Sequence, residues 1–365
     1  MNPYENIEDV SIYVGPTCNF NCTYCDRAYV NSVGVESMKF DKALIDFVVG
    51  VIENSEKPMV SFHGGETLVY IKTIEKIIEA ILVRVPDFEQ RRLRFYIQTN
   101  GSLITKQRAF FEKYKSVLYV SISYDFVFQP DNRTAYDIDA TLQLLNDLQV
   151  PVGLQYVIPS YRDDVFDTKV YVEIMRLYKA YRIGRLNLIL LRHIRHEDRF
   201  ETVIADESID LKRFFLKFMQ FMQLLYVSGI NLYIDGHTEK IDKNYFDNHK
   251  QLVLAPNGLI VPEYQFIEYG DYDFTIGRYK PYVEITRNQM PQKAANKIRK
   301  ACKDCPMTDI CGLRYHYAMF NIDPPTPERC KEFYSLNVVS IKHLYKLKEQ
   351  PTLLHHLGVQ QWATS

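Results

Sequence analysis

Seven cysteines fall into two groups with none between: Cys18, Cys22 and Cys25 near the start, and Cys302, Cys305, Cys311 and Cys330 near the end. Cys-x3-Cys-x2-Cys puts three thiols on one short loop. As thiolates they can hold three corners of an iron–sulfur cubane and leave one iron open to a chelating molecule. Zinc is the competing reading, but a closed structural zinc wants four ligands, and Asp26 is a poor fourth. The later group supplies four thiols, enough for a tetrahedral zinc or for every iron of a cubane. Spacing alone leaves both metals open at both places. The odd total and the polar, acidic start MNPYENIEDV point away from disulfides and a secretory signal, so a reducing, cytoplasmic setting is expected.

The elements that must carry these loops follow from periodicity. Ser11 to Val14 reads as a buried strand stopped by Gly15-Pro16, and the first cysteine group follows it. Strands are predicted over 58–63, 94–99, 117–123, 151–158 and 186–191. Helices are predicted over 40–53, 70–85, 105–114, 137–148, 170–181 and 210–228. Phe214, Phe215, Phe218, Phe221, Met222 and Leu225 recur at helical spacing, a core stripe rather than a membrane span, since Lys217, Gln220 and Gln223 interrupt it. About six strand–helix alternations predict an α/β fold with a parallel sheet, curved or closed, whose chemistry sits after the strands' C-terminal ends. Past residue 230 the pattern changes: 251–262 reads as a hairpin turning at Asn257-Gly258, and 336–348 as a final helix. The expected division is therefore 1–230 and 231–365.

The stretch PTCNFNCTYC, residues 16–25, resembles the signature of radical S-adenosylmethionine enzymes, with Tyr24 directly before the third cysteine. The resemblance implies a partial (β/α)6 TIM-like barrel, with Cys18, Cys22 and Cys25 holding a 4Fe–4S cluster whose open iron chelates S-adenosylmethionine. It also implies reductive cleavage to methionine and a 5′-deoxyadenosyl radical that takes a hydrogen atom from the substrate. In such chemistry the cofactors react and the protein orients them. Further matches come in order. His63-Gly64-Gly65-Glu66 follows the second strand, where main-chain groups and the Glu66 carboxylate are implied to hold the cofactor's ammonium. Gln98-Thr99-Asn100-Gly101 ends the third strand, and Ser123-Tyr124-Asp125 the fourth. Thr134 matches a hydroxyl position at the cofactor carboxylate, and Gln155 on the fifth strand is a second candidate there. Asp125 and Gln98 are candidate substrate-facing groups. One departure is Asp26, followed by Arg27, where many relatives carry an aromatic residue.

Cys302-x2-Cys305-x5-Cys311 with Cys330 resembles the SPASM or twitch extension, which implies a small C-terminal iron–sulfur domain. The pattern matches the outer of its two auxiliary clusters. Glu263 and Tyr315 stand where inner-cluster cysteines are expected, so one auxiliary 4Fe–4S cluster is expected, fully ligated and suited to electron relay or structural support.

Net charge is -1, with no basic excess to mark a nucleic-acid binder. Two basic runs, Lys293–Lys303 and Arg91–Arg94, read first as solvated faces, although the former suits an acidic peptide, a phosphate or nucleic acid. Three functions follow: radical modification of a peptide or protein side chain, which is preferred; the same chemistry on a small molecule, sugar or nucleotide; and a zinc-stapled binding module. A reductant such as flavodoxin or ferredoxin is implied, no membrane partner is expected, and no leader-peptide-binding domain is evident at the N-terminus.

Overall fold

The computed structural model describes residues 7–25, 33–158, 163–190, 206–234, 251–268, 272–285 and 326–349, with short pieces at 4, 30–31, 193–196, 199–202, 270 and 296. In chain order the elements are β1 (Asp9–Gly15), α1 (Lys42–Asn54), β2 (Met59–Gly64), α2 (Ile71–Arg84), β3 (Arg94–Thr99), α3 (Arg108–Tyr114), β4 (Leu118–Ser123), α4 (Gln129–Asn132), α5 (Ile138–Asp147), β5 (Val152–Ile158), α6 (Thr168–Ala180), β6 (Arg185–Leu190), β7 (His193–His196), β8 (Arg199–Thr202), α7 (Leu211–Val227) and β9 (Leu232–Ile234). β10 (Gln251–Leu254), β11 (Leu259–Val261), α8 (Tyr264–Glu268), β12 (Gly277–Arg278), β13 (Glu284–Ile285) and α9 (Pro327–Glu349) follow.

The chain forms two compact units. The first takes Met1–Ile122, Tyr136–Pro151 and Asp242–Arg299; the second takes Ser123–Ala135, Val152–Ile241 and Lys300–Ser365. In the first, β1, β2, β3 and β4 run parallel in that order, and β10 adds to β1 in parallel. β11, β12 and β13 extend β10 antiparallel. In the second unit, β5, β6 and β9 form parallel neighbours, and β7 and β8 a separate hairpin.

Side chains alternate across a strand, and here the two faces differ in kind. Val10, Ile12, Val60, Phe62, Phe95, Ile97, Val120 and Ile122 are buried on one face of the first unit's sheet. Ser11, Ser61, His63, Tyr96, Gln98 and Ser121 share the other by register. A parallel sheet covered on both faces reads as continuous apolar runs. This one has a polar, hydrogen-bonding face instead.

The helices begin where acidic caps put them. Asp41, Asp137, Asp167 and Asp210 each accept a backbone N–H of the first turn of α1, α5, α6 and α7. Ile74, Ile77, Ile78 and Ile81 give α2 its buried stripe. The α7 stripe is buried as its spacing requires, and the helix stops at Ser228 and Gly229 (φ +83°). The 251–262 hairpin forms, with Gly258 at φ +92° and the Leu259 N–H on Asn257 Oδ1. Its first strand joins the sheet beside β1. The final helix starts nine residues earlier than periodicity suggested, at Pro327, a residue suited to a first helical turn. β7, β8, β12, β13 and α8 are too short for a periodic signal. Among the described residues no helix is long and apolar enough to cross a membrane.

Phe166, Phe214, Phe215 and Phe218 form one aromatic cluster, with ring centroids 5.2–6.3 Å apart. Phe218 is wholly buried. Phe218→Ala is expected to remove about 3–5 kcal/mol of stability, seen as a lower urea midpoint with an unchanged slope.

Candidate active site

The cysteine loop leaves the C-terminal end of β1 and lies against the turn that ends β2. Gly65 N–H donates to the Gly15 carbonyl (2.9 Å) and Glu66 N–H to the Thr17 carbonyl (2.8 Å). The approach needs glycine: a Cβ on Gly65 would be driven into the Pro16 and Thr17 carbonyl oxygens, and Gly64 sits at φ +153° against Gly15. Thr17 N–H donates to Tyr70 Oη (2.7 Å), a support that the sequence reading did not single out. Cys22 is buried, Cys18 and Cys25 are half-buried, and none of the three is in a disulfide. Phe20 N–H points at Cys18 Sγ (3.4 Å), and Cys25 N–H closes on the Cys22 carbonyl. Tyr24 is half-buried within this loop. Among the described residues no three His, Cys, Asp or Glu side chains are grouped to hold a metal ion.

Glu66 is fully buried. Its Oε1 accepts from Leu68 N–H (3.0 Å) and the Thr99 hydroxyl (2.5 Å), and its Oε2 accepts from Asn100 N–H (2.7 Å). The carboxylate thus ties the β2 turn to the end of β3, and the neighbouring Thr67 hydroxyl donates to the Gln98 carbonyl. Asn100 carries the link onward. Its Nδ2 donates to Asn19 Oδ1 (2.9 Å) and lies 4.0 Å from Cys18 Sγ, while Asn19 Nδ2 reaches Ser102 Oγ (2.9 Å). Asn19 and Ser102 were not legible beforehand, because nothing in their spacing marks them.

On the polar face His63 stacks on Tyr264 (5.6 Å, 4°) and leans on Tyr96 (6.0 Å), which stacks on Tyr119 (5.6 Å). Removal from water lowers the imidazole pKa to about 4, partly opposed by a hydrogen bond with Gln98. His63 is therefore neutral near pH 7. Of the basic run, Arg91 pairs with Asp87 (2.8 Å) and Arg94 turns back on the Leu93 carbonyl, as a surface role requires.

The remaining candidates gather in the second unit. Ser123 Oγ lies 3.2 Å from Gln155 Oε1, and Tyr124 N–H donates to the Gln155 carbonyl (2.8 Å). Asp125 is fully buried, 3.9 Å from the Arg133 guanidinium, itself 8% exposed. Arg133 is a buried cation that sequence reasoning missed, since a lone arginine ahead of a helix has no motif. Thr134 is exposed. Cys330 lies in the first turns of α9, 3% exposed, in a helix whose Phe333 packs on Phe215 (5.6 Å) of α7. Asp26, Arg27, Cys302, Cys305, Cys311 and Tyr315, and of the later basic run Lys293, Lys297, Arg299, Lys300 and Lys303, lie outside the described residues.

Residues 12–204 match the model of the Radical SAM superfamily, and the chain belongs to that family: it is a radical SAM enzyme. Over 206 residues it is 27% identical to the radical SAM cyclopropyl synthase TigE of Paramaledivibacter caminithermalis, a match over 50% of this chain and 42% of that relative's length. The structure is similar to anSMEcpe with bound AdoMet (TM-score 0.63, 17% identity, 93% of this chain and 96% of that one). It is likewise similar to anSMEcpe with AdoMet and the Cp18Cys peptide (0.61, 18%, 96% and 98%). A third likeness is to Streptococcus suis SuiB bound to precursor peptide SuiA (0.50, 16%, 84% and 71%). At these identities the likeness establishes the fold: α/β, with a parallel sheet like that of the radical SAM partial barrel.

Membership brings with it the radical SAM 4Fe–4S cluster and S-adenosylmethionine. The donor set suits the cluster: three thiols outside any disulfide share one loop, a main-chain N–H is aimed at a sulfur, and glycines let that loop sit against the next strand end. Gly65→Ala is expected to displace the loop. Anaerobic iron–sulfide reconstitution of this variant should then load less iron than wild type, while Ser208→Ala, at an exposed site in the second unit, loads normally. His63 favours the neutral form in the folded state, so its contribution is complete above pH 6.5 and lost as pH falls toward about 4. Denaturant titrations across that window should show a shallower acid loss in His63→Gln than in wild type.

Proposed function

We propose that this enzyme reductively cleaves S-adenosylmethionine and abstracts a hydrogen atom to modify a side chain of a peptide or protein. The observation that carries this reading is the clamping of the three-cysteine loop, through Gly65, Glu66 and Asn100, to strand ends whose sheet has a polar face. Support for a peptide substrate comes from the neighbours solved with the Cp18Cys and SuiA peptides. When bound, the cluster and S-adenosylmethionine would supply an electron and the 5′-deoxyadenosyl radical.

The chain's own residues then have separate tasks. Cys18, Cys22 and Cys25 hold the cluster, and Asn100 steers the Cys18 side of the loop. Main-chain carbonyls of Gly64 and Gly65 meet the cofactor's ammonium, while Glu66, its oxygens engaged by protein donors, holds the turn in shape. Ser123, Thr134 and Gln155 offer hydroxyl and amide groups to the rest of the cofactor. Gln98 presents an amide to a peptide main chain, next to a neutral His63 that adds no charge to the polar face. Asp125, balanced by Arg133, is the candidate for orienting substrate or taking a proton. In this reading 1–230 is the catalytic part and 231–365 carries one auxiliary 4Fe–4S cluster on Cys302, Cys305, Cys311 and Cys330, with flavodoxin or ferredoxin as reductant.

Anaerobically reconstituted protein is expected to hold about eight irons per chain and to form 5′-deoxyadenosine with dithionite. Replacing Cys302, Cys305, Cys311 and Cys330 by alanine should leave about four irons; so should replacing Cys18, Cys22 and Cys25, but that change alone should abolish cofactor cleavage directly. Stoichiometric zinc with no 5′-deoxyadenosine would overturn the reading. Substrate turnover with peptides and not with sugars or nucleotides would confirm the substrate class.

A further inference from the structure

Between Asp125 and Thr134 lies a side chain that neither the family pattern nor the residue spacing marks. Gln129 opens α4, is 3% exposed, and divides its amide between the two candidates' main chains. Its Oε1 accepts from Asp125 N–H at 3.0 Å, and its Nε2 donates to the Thr134 carbonyl at 2.9 Å. Its own carbonyl accepts from Arg133 N–H at 2.9 Å, and Phe128 N–H donates to the Asp125 carbonyl at 3.0 Å. The loop so closed holds Phe126 at φ +53°, its ring 2% exposed and edge-on to both Tyr124 and Tyr156 at 5.4 Å. A bulky residue in the left-handed region persists only where its surroundings over-determine it. The stretch from Tyr124 to Thr134 is therefore a built conformation, and Gln129 is the side chain that joins its two ends.

The chemistry of the join is specific. A primary amide supplies one neutral acceptor and one donor at the right span; an ionised glutamate only accepts, and methionine has neither function at useful strength. Leaving the buried Asp125 N–H and the part-buried Thr134 carbonyl without these partners is costly, most of all at Asp125, so the loop must open to water or shift. We propose that Gln129 is a positioning residue: it holds the Asp125 and Thr134 main chains at a set separation, so that carboxylate and hydroxyl keep the geometry the reaction uses. This rests on the radical SAM reading given above, which assigns the two residues their tasks.

The test compares wild type with Gln129→Met, which keeps the volume and loses both bonds, and with Gln129→Glu. The first readout, hydrogen exchange of segment 123–135, is made on protein without cofactors. Exchange is expected to be at least about tenfold faster in Gln129→Met, with little change elsewhere. The second, on reconstituted enzyme, is the KM for S-adenosylmethionine against kcat for 5′-deoxyadenosine, and KM is expected to rise at least about tenfold. Gln129→Glu should resemble Gln129→Met near about pH 8, where the loop's charges are the Asp125 carboxylate, the Arg133 guanidinium and the new carboxylate. It should regain protection near about pH 6, because a protonated carboxyl accepts through C=O and donates through O–H. Side-chain packing alone would leave Gln129→Met protected and would show no recovery on acidification; either result overturns the proposal. Wild-type protein that forms no 5′-deoxyadenosine counts against the reading of function, whereas unchanged exchange in Gln129→Met counts against the clamp.

Discussion

A single buried carboxylate organises the candidate site. Glu66 is wholly removed from water, which is costly for an ion unless its oxygens are met by donors. Here they are met by Leu68 N–H, Asn100 N–H and the Thr99 hydroxyl, drawn from two strand ends. Because those donors belong to the main chain and to a buried threonine, the carboxylate is held by groups that the strand ends themselves position. That arrangement sets Asn100 beside Asn19 and Cys18, and sets Gly65 against Pro16 and Thr17. The cysteine loop is tied down by this anchorage.

The second unit uses the same device with neutral partners. Gln129 satisfies a buried N–H and a carbonyl at the two ends of one loop, as Glu66 satisfies donors at two strand ends. In both places the side chain that looks most reactive, or draws no notice, serves the backbone of its neighbours. The groups left to face solvent or ligand, such as the Thr134 hydroxyl and the Cys18 and Cys25 thiols, are then carried on main chain that is already held. Such preorganisation matters because misplacement of reacting atoms by about an ångström costs rate.

Much of the frame was legible in residue order. The strand over Arg94–Thr99 and the α7 stripe from Phe214 to Leu225 appear where periodicity put them, because each buries one face against a core and period follows from burial. Helix starts were legible to within two residues where an Asp caps the first turn, as at Asp41 and Asp210. α8 and the β12–β13 pairing were not, since elements so short carry no period. The stack of Tyr264 on His63 was hidden for a further reason: it joins residues two hundred positions apart, and neither has a motif that points to the other.

Residue order carried the resemblance from which the kind of chemistry was expected, and the family match bears that expectation out. Three cysteines at x3 and x2, followed by strand-end Gly-Gly-Glu and Asn-Gly, are local patterns, and a local pattern survives in one dimension. Three-dimensional contact alone shows which groups meet: Glu66 the donors of its turn and of the β3 end, Asn100 the cysteine loop, Gln129 and Arg133 the loop around Asp125. Those assignments depend on which donor meets which acceptor across the fold. For Glu66 and Asn100 the partners lie tens of residues apart and are chosen by the packing of the strands between them; those of Gln129 and Arg133 lie within one loop, but no motif marks them.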